Sequence, residues 1–236
     1  MPFVLINNKK IKYKTHVLYP GVKQINKEIA EKNLIDLKHV LDKFDIKFLL
    51  IAGTLLGAVR DHDFISHDED VDLAFLEEDK TKLFECLPVI LDCGFEIARY
   101  DSRGLLSLIR EGEYIDLYFF RKMNDEPNIR TCSGWLLLEN FLTNTTKFRF
   151  KGEIYNIPLE YTEFLKYEYG DTWMEPVRYF SYDLPLIKKV MYFVKEMIKE
   201  VLPDFILTVV LKKAEKKLEA KYRIKINNYL QSKSSL

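Results

Sequence analysis

The residues best suited to chemistry lie between Leu50 and Phe75, in LIAGTLLGAVRDHDFISHDEDVDLAF. Asp70 and Asp72 stand two apart in a run whose apolar members Val71, Leu73 and Phe75 also alternate, so the segment from Asp70 to Phe75 reads as a strand. Side chains on a strand alternate between its faces, which turns both carboxylates to one side and the apolar partners to the other. Two like charges so placed repel, and a cation is needed to keep both ionised. Hard carboxylate oxygens favour magnesium or manganese over zinc. A further acid, Asp116, sits between Ile115 and Leu117 in a strand-forming run, where a carboxylate is costly without a partner. A metal shared with Asp70 and Asp72 is one such partner; Arg110, Lys122 or solvent are the others.

The elements around these acids can make an anion site. Phe48 to Ala52 is an apolar run consistent with a buried strand, and Gly53-Thr54 then opens a short helix through Arg60. Backbone N–H groups at a helix N-terminus face an anion favourably, and a glycine lets a phosphate come close. A calcium loop is excluded. Asp61, Asp63 and Asp72 fall at the first, third and last places of a twelve-residue window, but Ile65 and Ser66 fill the fifth and sixth, where a ligand and a turning glycine belong, and the last acid is not Glu. His62 and His67 lack the companion spacing of a zinc site and read as surface residues or as residues supporting the acids.

Gly53-Thr-Leu-Leu-Gly-Ala-Val-Arg60 followed by Asp68-Glu-Asp-Val-Asp-Leu-Ala-Phe75 resembles the signature of the LicD and fukutin family. A second match, Tyr169-Gly-Asp-Thr-Trp-Met-Glu-Pro176, is similar to the close of that family's catalytic domain. His67 stands where the family often has Trp. The resemblance implies an α+β, nucleotidyltransferase-like fold, a mixed sheet flanked by helices. It implies transfer of a phosphorylated alcohol, such as phosphocholine or ribitol phosphate, from a CDP-linked donor to a cell-surface glycan or glycolipid, with Mg²⁺ or Mn²⁺ as cofactor. Asp70, Asp72 and Asp116 are then the metal and catalytic acids, with Asp116 completing the site or acting as base. Gly53, Thr54, Arg60 and Asp68 fall on the substrate side, Asp68 supporting the others, and Tyr169, Gly170, Asp171 and Trp173 on a substrate loop. Two other functions stay open: a nucleotidyltransferase that modifies a protein, RNA or small molecule, and a non-catalytic binding module.

The remaining chain must position these residues. Its 236 residues, 47% apolar and 14% aromatic, suit a catalytic domain over 1–180, with a family-like core at 46–176, and a helical appendage over 181–236. Charges balance at 36 and 36, which gives no general attraction to nucleic acid. A helix is expected from Val22 to Phe44, on the spacing of Leu34, Leu37, Leu41 and Phe44, and a second from Glu77 to Asp92. Strands are expected at Phe95 to Tyr100, Leu105 to Arg110 and Tyr114 to Phe120. Asp125 to Arg130 reads as a loop, Trp135 to Leu142 as strand or helix, and Lys147 to Tyr155 as a hairpin about Gly152, before a helix from Leu159 to Tyr169. Two short runs about Asn7-Asn8 suggest an N-terminal hairpin. Cys86, Cys93 and Cys132 leave one over in any pairing, which fits a reducing compartment, and Cys86 and Cys93 are expected in the core.

From Leu186 onward the chain has 12 Lys and Arg against 5 Asp and Glu. Ile187, Val190, Met191, Val194, Met197, Ile198 and Val201 form a helical stripe, and after Pro203 a second runs through Leu207, Val210, Leu211, Ala214 and Leu218. Neither reaches the roughly 20 apolar residues of a spanning helix. Basic amphipathic helices rest on anionic membrane surfaces or pack on protein. Met1-Pro-Phe-Val-Leu-Ile6 lacks the charged start and long apolar run expected of a secretion signal, and the expected location is cytoplasmic, with peripheral contact to a membrane through the basic tail.

Overall fold

The computed structural model describes residues 3–6, 9–16, 18, 23–177, 185–201 and 204–234. In order the elements are β1 (Phe3–Ile6), β2 (Lys9–Lys12), α1 (Lys27–Lys43), β3 (Leu49–Leu50), α2 (Ala52–Arg60), β4 (Val71–Leu76), α3 (Lys80–Asp92), β5 (Glu96–Asp101), β6 (Leu105–Arg110), β7 (Glu113–Lys122), β8 (Ile129–Cys132), β9 (Trp135–Leu138), α4 (Glu139–Thr143), β10 (Thr145–Phe150), β11 (Glu153–Pro158), α5 (Tyr161–Tyr169), α6 (Leu186–Val201) and α7 (Asp204–Ser234). The main sheet runs β10-β11-β3-β4-β7-β6-β5, with β8 and β9 continuing from β7. β4 lies parallel to β7 and β11 parallel to β3, while the other pairs are antiparallel. The fold is therefore α+β with a mixed sheet, as expected.

The sheet is central because its strands bury apolar residues, Val71, Leu73 and Phe75 on β4 and Ile115, Leu117 and Phe119 on β7. Each such side chain contributes about 1.5–3 kcal/mol by leaving water. α1 covers the sheet with Ala30, Leu34, Leu37, Val40 and Leu41. It begins at Lys27 rather than near Val22, which lies outside the described residues, because the Asn26 side chain accepts the Ile29 N–H at 3.3 Å and caps the helix there. Asn33, fully buried among those apolar residues, donates to the Arg110 carbonyl and accepts from its Nε, both at 2.8 Å.

Several boundaries differ from the sequence reading. The expected strand Phe48 to Ala52 pairs only at Leu49–Leu50, since Ala52 already starts α2, with φ of 47°. The helix from Glu77 opens with a 3₁₀ turn over Glu77–Asp79, and that from Leu159 starts at Tyr161. The stretch Trp135 to Leu142 divides into β9 and α4. The predicted loop Asp125 to Arg130 is corrected at its end. Ile129–Cys132 is a strand because it pairs on both edges, Thr131 with Arg121 and Leu136, and Arg130 with Lys122 and Leu137. Arg130 is buried there against Glu78 and Glu139. Cys93 is exposed, not in the core, because it caps α3 at the surface, whereas Cys86 and Cys132 are buried. β1 and β2 form the N-terminal hairpin; its Asn7-Asn8 turn lies outside the described residues, as does Pro203.

The two tail helices differ. α7 packs on β9 and α5. Gly134 makes this approach possible, as a Cβ there would meet the Glu215 carbonyl at 2.7 Å. Glu215 pairs with Arg121 at 3.0 Å, Arg103 donates to the Leu211 carbonyl at 3.0 Å, and Tyr229 packs on Phe141 and Tyr167. α6 instead leaves Leu186, Ile187, Val190, Met191, Val194 and Ile198 exposed. No described helix is long and apolar enough to cross a membrane.

Candidate active site

Register builds the site. Asp72 on β4 is paired with Asp116 on β7, Asp116 with Ser107 on β6, and Ser107 with Arg99 on β5. Residues opposite one another on adjacent strands share a face, so one row across the sheet reads Asp72, Asp116, Ser107, Arg99. Asp70 lies just before β4, two residues from Asp72 and at the rim of the row.

The inner acid of this row is satisfied by protein. Arg99 Nη2 donates to Asp116 Oδ2 at 2.8 Å, its Nε donates to Ser107 Oγ at 3.1 Å, and the Ser107 hydroxyl donates to Asp116 Oδ1. The Tyr118 hydroxyl adds a bond to Asp116 Oδ2 at 3.2 Å. Asp116 is 2% exposed, and this charge-assisted set offsets its burial. Sequence reading offered Arg110 and Lys122 as partners. The register puts Arg99 there instead, while Arg110 pairs with Asp36 at 2.6 Å and Lys122 with Glu139 at 3.2 Å.

The outer acids are not so satisfied. Burial, then repulsion from Asp72, Asp116, Asp68 and Glu69, pushes the Asp70 carboxyl well above the usual carboxylate range. Burial followed by the charges of Asp68 and Asp116 does the same to Asp72, opposed by Tyr118 and by the Gly53 N–H. Burial pushes Asp68 up to about 6, against a bond from the Glu69 N–H at 3.0 Å. Among the described residues no lysine or arginine side chain bonds Asp70 or Asp72.

α2 supports these acids directly. The Asp72 N–H donates to the Thr54 hydroxyl at 2.8 Å, and Thr54 is 1% exposed. Gly53 gives its N–H to the Asp72 carboxylate and gives room to another acid, because a Cβ at Gly53 would stand 2.0 Å from Asp68 Oδ2. Gly57 is equally constrained, its missing Cβ lying 2.5 Å from the Asp63 carbonyl, and this holds the 61–70 loop against α2. Arg60 closes the helix in a two-point pair with Asp61, 2.8 Å for each bond.

The two segments singled out by sequence meet here. α2 packs on α5, which brings Tyr169, itself 43% exposed, near Asp72 and Asp68; the protein around its hydroxyl and the charges of Asp72, Glu168 and Asp68 raise it. Gly170 ends α5 at φ 86°, Asp171 is exposed, and Trp173 is 8% exposed in the core. His62 is exposed and His67 partly so. Arg99, Ser107 and Tyr118 were missed. The available signal was the one used for Asp116, a polar residue within an apolar strand, repeated at Ser107 in Leu105-Leu-Ser-Leu-Ile109.

A divalent cation fits the donor chemistry of Asp70 and Asp72, two hard carboxylates in a cluster of mutually repelling acids. Among the described residues no three acid, histidine or cysteine side chains already converge as a ligand cage, and the Asp116 oxygens are engaged by Arg99, Ser107 and Tyr118.

Comparison with known proteins gives this arrangement relatives. An uncharacterized protein of Rickettsia typhi is 31% identical over 91 residues, 39% of this chain and 28% of the relative. One of Rickettsia prowazekii is 36% identical over 63 residues, 27% and 24% of the two chains, and one of Caenorhabditis elegans is 26% identical over 175 residues, 66% and 45%. The chain spans less than half the length of these relatives. Among solved structures, the lincosamide antibiotic adenylyltransferase LnuA with lincomycin aligns at 14% identity and a TM-score of 0.42, over 68% of this chain and 92% of that one. ANT(2″)-Ia with adenylyl-2″-tobramycin aligns at 12% and 0.44, over 81% and 98%. Residues 45–170, from the turn before β3 to the end of α5 and so including every acid of the site, match the LicD/FKTN/FKRP nucleotidyltransferase domain, and the chain belongs to that family.

Proposed function

We propose that the protein is a metal-dependent phosphotransferase that moves a phosphorylated alcohol from a CDP-linked donor to a glycan or glycolipid hydroxyl. The observation that carries this reading is the register pairing of Asp72 with Asp116, one acid without a cation and the other with Arg99 built in. Asp70 and Asp72 would hold Mg²⁺ or Mn²⁺, which when bound neutralises charge on the donor diphosphate and the departing CMP. Asp116, kept in place by Arg99 and Ser107, is the group suited to take the proton of the acceptor hydroxyl. Gly53 and Thr54, in the N-terminal turn of α2, hold the outer acids in place and form the backbone of the phosphate side. Arg60 and Tyr169, on the packed helices α2 and α5, border the donor side. Gly170, Asp171 and Trp173 shape the loop that follows.

The test is thermal stabilisation by CDP-choline, CDP-ribitol, CDP-glycerol, CTP and ATP, each with and without Mg²⁺, since a ligand that binds only the folded state raises its melting temperature. A Mg²⁺-dependent rise with one CDP-alcohol, absent in Asp72→Ala, supports the reading and names the donor. A rise with CTP or ATP alone replaces it with nucleotidyl transfer, in which pyrophosphate and not CMP is released.

A further inference from the structure

Among the described residues, the apolar stripe of α6 is left open to solvent. Leu186, Ile187, Val190, Met191, Val194 and Ile198 are 46–76% exposed and line one shallow apolar trough along the helix. Their spacing is that of a single helical face. The exposure continues past the helix break at Val209 and Val210, and Lys212, Lys213, Lys216 and Lys217 on α7 follow, all exposed. Lys188, beside the stripe on α6, is exposed as well. The whole region from Leu186 holds 12 basic against 5 acidic residues, within a chain that is neutral overall. The rest of the tail is committed, since α7 is fastened to the body through Glu215, Leu211 and Tyr229.

We propose that α6 lies flat in the surface of an anionic membrane, its stripe at the acyl boundary and its lysines level with the lipid phosphates. That surface satisfies both features together: it takes an aliphatic strip about 18 Å long out of water, and it supplies negative charge to a region with a basic excess. A second copy of the chain satisfies only the first, because it brings together two regions that each carry 12 basic against 5 acidic residues. No described helix can span a bilayer, so the contact is lateral and reversible. The inference stands apart from the reaction, resting on α6 and α7 alone.

The experiment is co-sedimentation of the full chain with phosphatidylcholine vesicles and with phosphatidylcholine–phosphatidylglycerol vesicles, beside the double variant Val190→Glu/Val194→Glu. Both positions are exposed, so the variant should keep the wild-type circular dichroism and melting temperature. The expected result is binding to the anionic vesicles only, reduced at about 0.5 M salt, where charges are screened within a few ångströms, and lost in the variant. No vesicle binding, or equal binding by the variant, overturns the proposal. Sedimentation velocity giving a wild-type dimer and a monomeric variant, without vesicle binding, overturns it in favour of self-association.

Discussion

Asp72 and Asp116 face each other in register on neighbouring parallel strands, nearly equally buried, and are held by opposite means. Asp116 has an arginine, a serine and a tyrosine on its oxygens. Asp72 has acids around it, with only a backbone N–H and Tyr118 in its favour. A fold selected for stability alone would have no reason to leave the second arrangement in place. The contrast separates a carboxylate finished by the protein from one that is not, and in the function proposed above the metal belongs on the Asp70–Asp72 side.

The largest effect that sharpens this contrast is expected from Asp72→Asn. Turnover should fall by about a thousandfold, the scale of losing a central electrostatic group, while the melting temperature in EDTA rises because a repelled, buried charge is gone. A lowered melting temperature would show that Asp72 is already satisfied. Arg99→Met should do the opposite to the fold, stranding Asp116 at a cost of about 2 kcal/mol by denaturant unfolding, below the roughly 3–5 kcal/mol of a fully buried pair because Arg99 is partly exposed. Arg99→Lys should recover part of that loss.

A pH dependence follows from Asp68. Its folded carboxyl lies at about 6 against a reference of 3.8, so between those values the folded chain binds more protons than the unfolded one. Stability from this group is fully present below about 3.8 and is lost as pH rises through 6. Melting in EDTA from pH 4.5 to 7.5 should show that decline, and Asp68→Asn should flatten it. The smallest effect concerns the bond between α2 and β4: Thr54→Val leaves the buried Asp72 N–H unpaired at about 1–2 kcal/mol, and Thr54→Ser should restore it.

Much of this site is legible along the sequence because alternation in a strand is local. Asp70, Asp72 and Asp116 announce themselves as acids among apolar residues, and Gly53 as a helix-opening glycine. What the sequence could not supply was register. Ser107 and Arg99 join the row only through the pairing of β7 with β6 and of β6 with β5, and Arg110 and Lys122 were nearer in sequence. Gly53 carried a second role visible only in three dimensions, space for the Asp68 carboxylate. The strand at Ile129–Cys132 was hidden for a similar reason, since polar Arg130 and Thr131 are buried by partners on β7 and β9, by Glu78 in the 3₁₀ turn and by Glu139 on α4. In the tail, periodicity found the stripe that α6 exposes but misplaced the seat of α7: Val210, Ala214 and Leu218 of its second stripe are exposed, and α7 packs instead through Glu215, Tyr222, Ile226 and Tyr229.

The contrast between the two facing acids is tested most directly by the melting temperature at pH 7.5 as MgCl₂ is titrated into the wild-type chain and into Asp72→Asn. A saturable rise in the wild type that is absent in Asp72→Asn is the predicted result. An equal response in both proteins would contradict a cation site on Asp70 and Asp72.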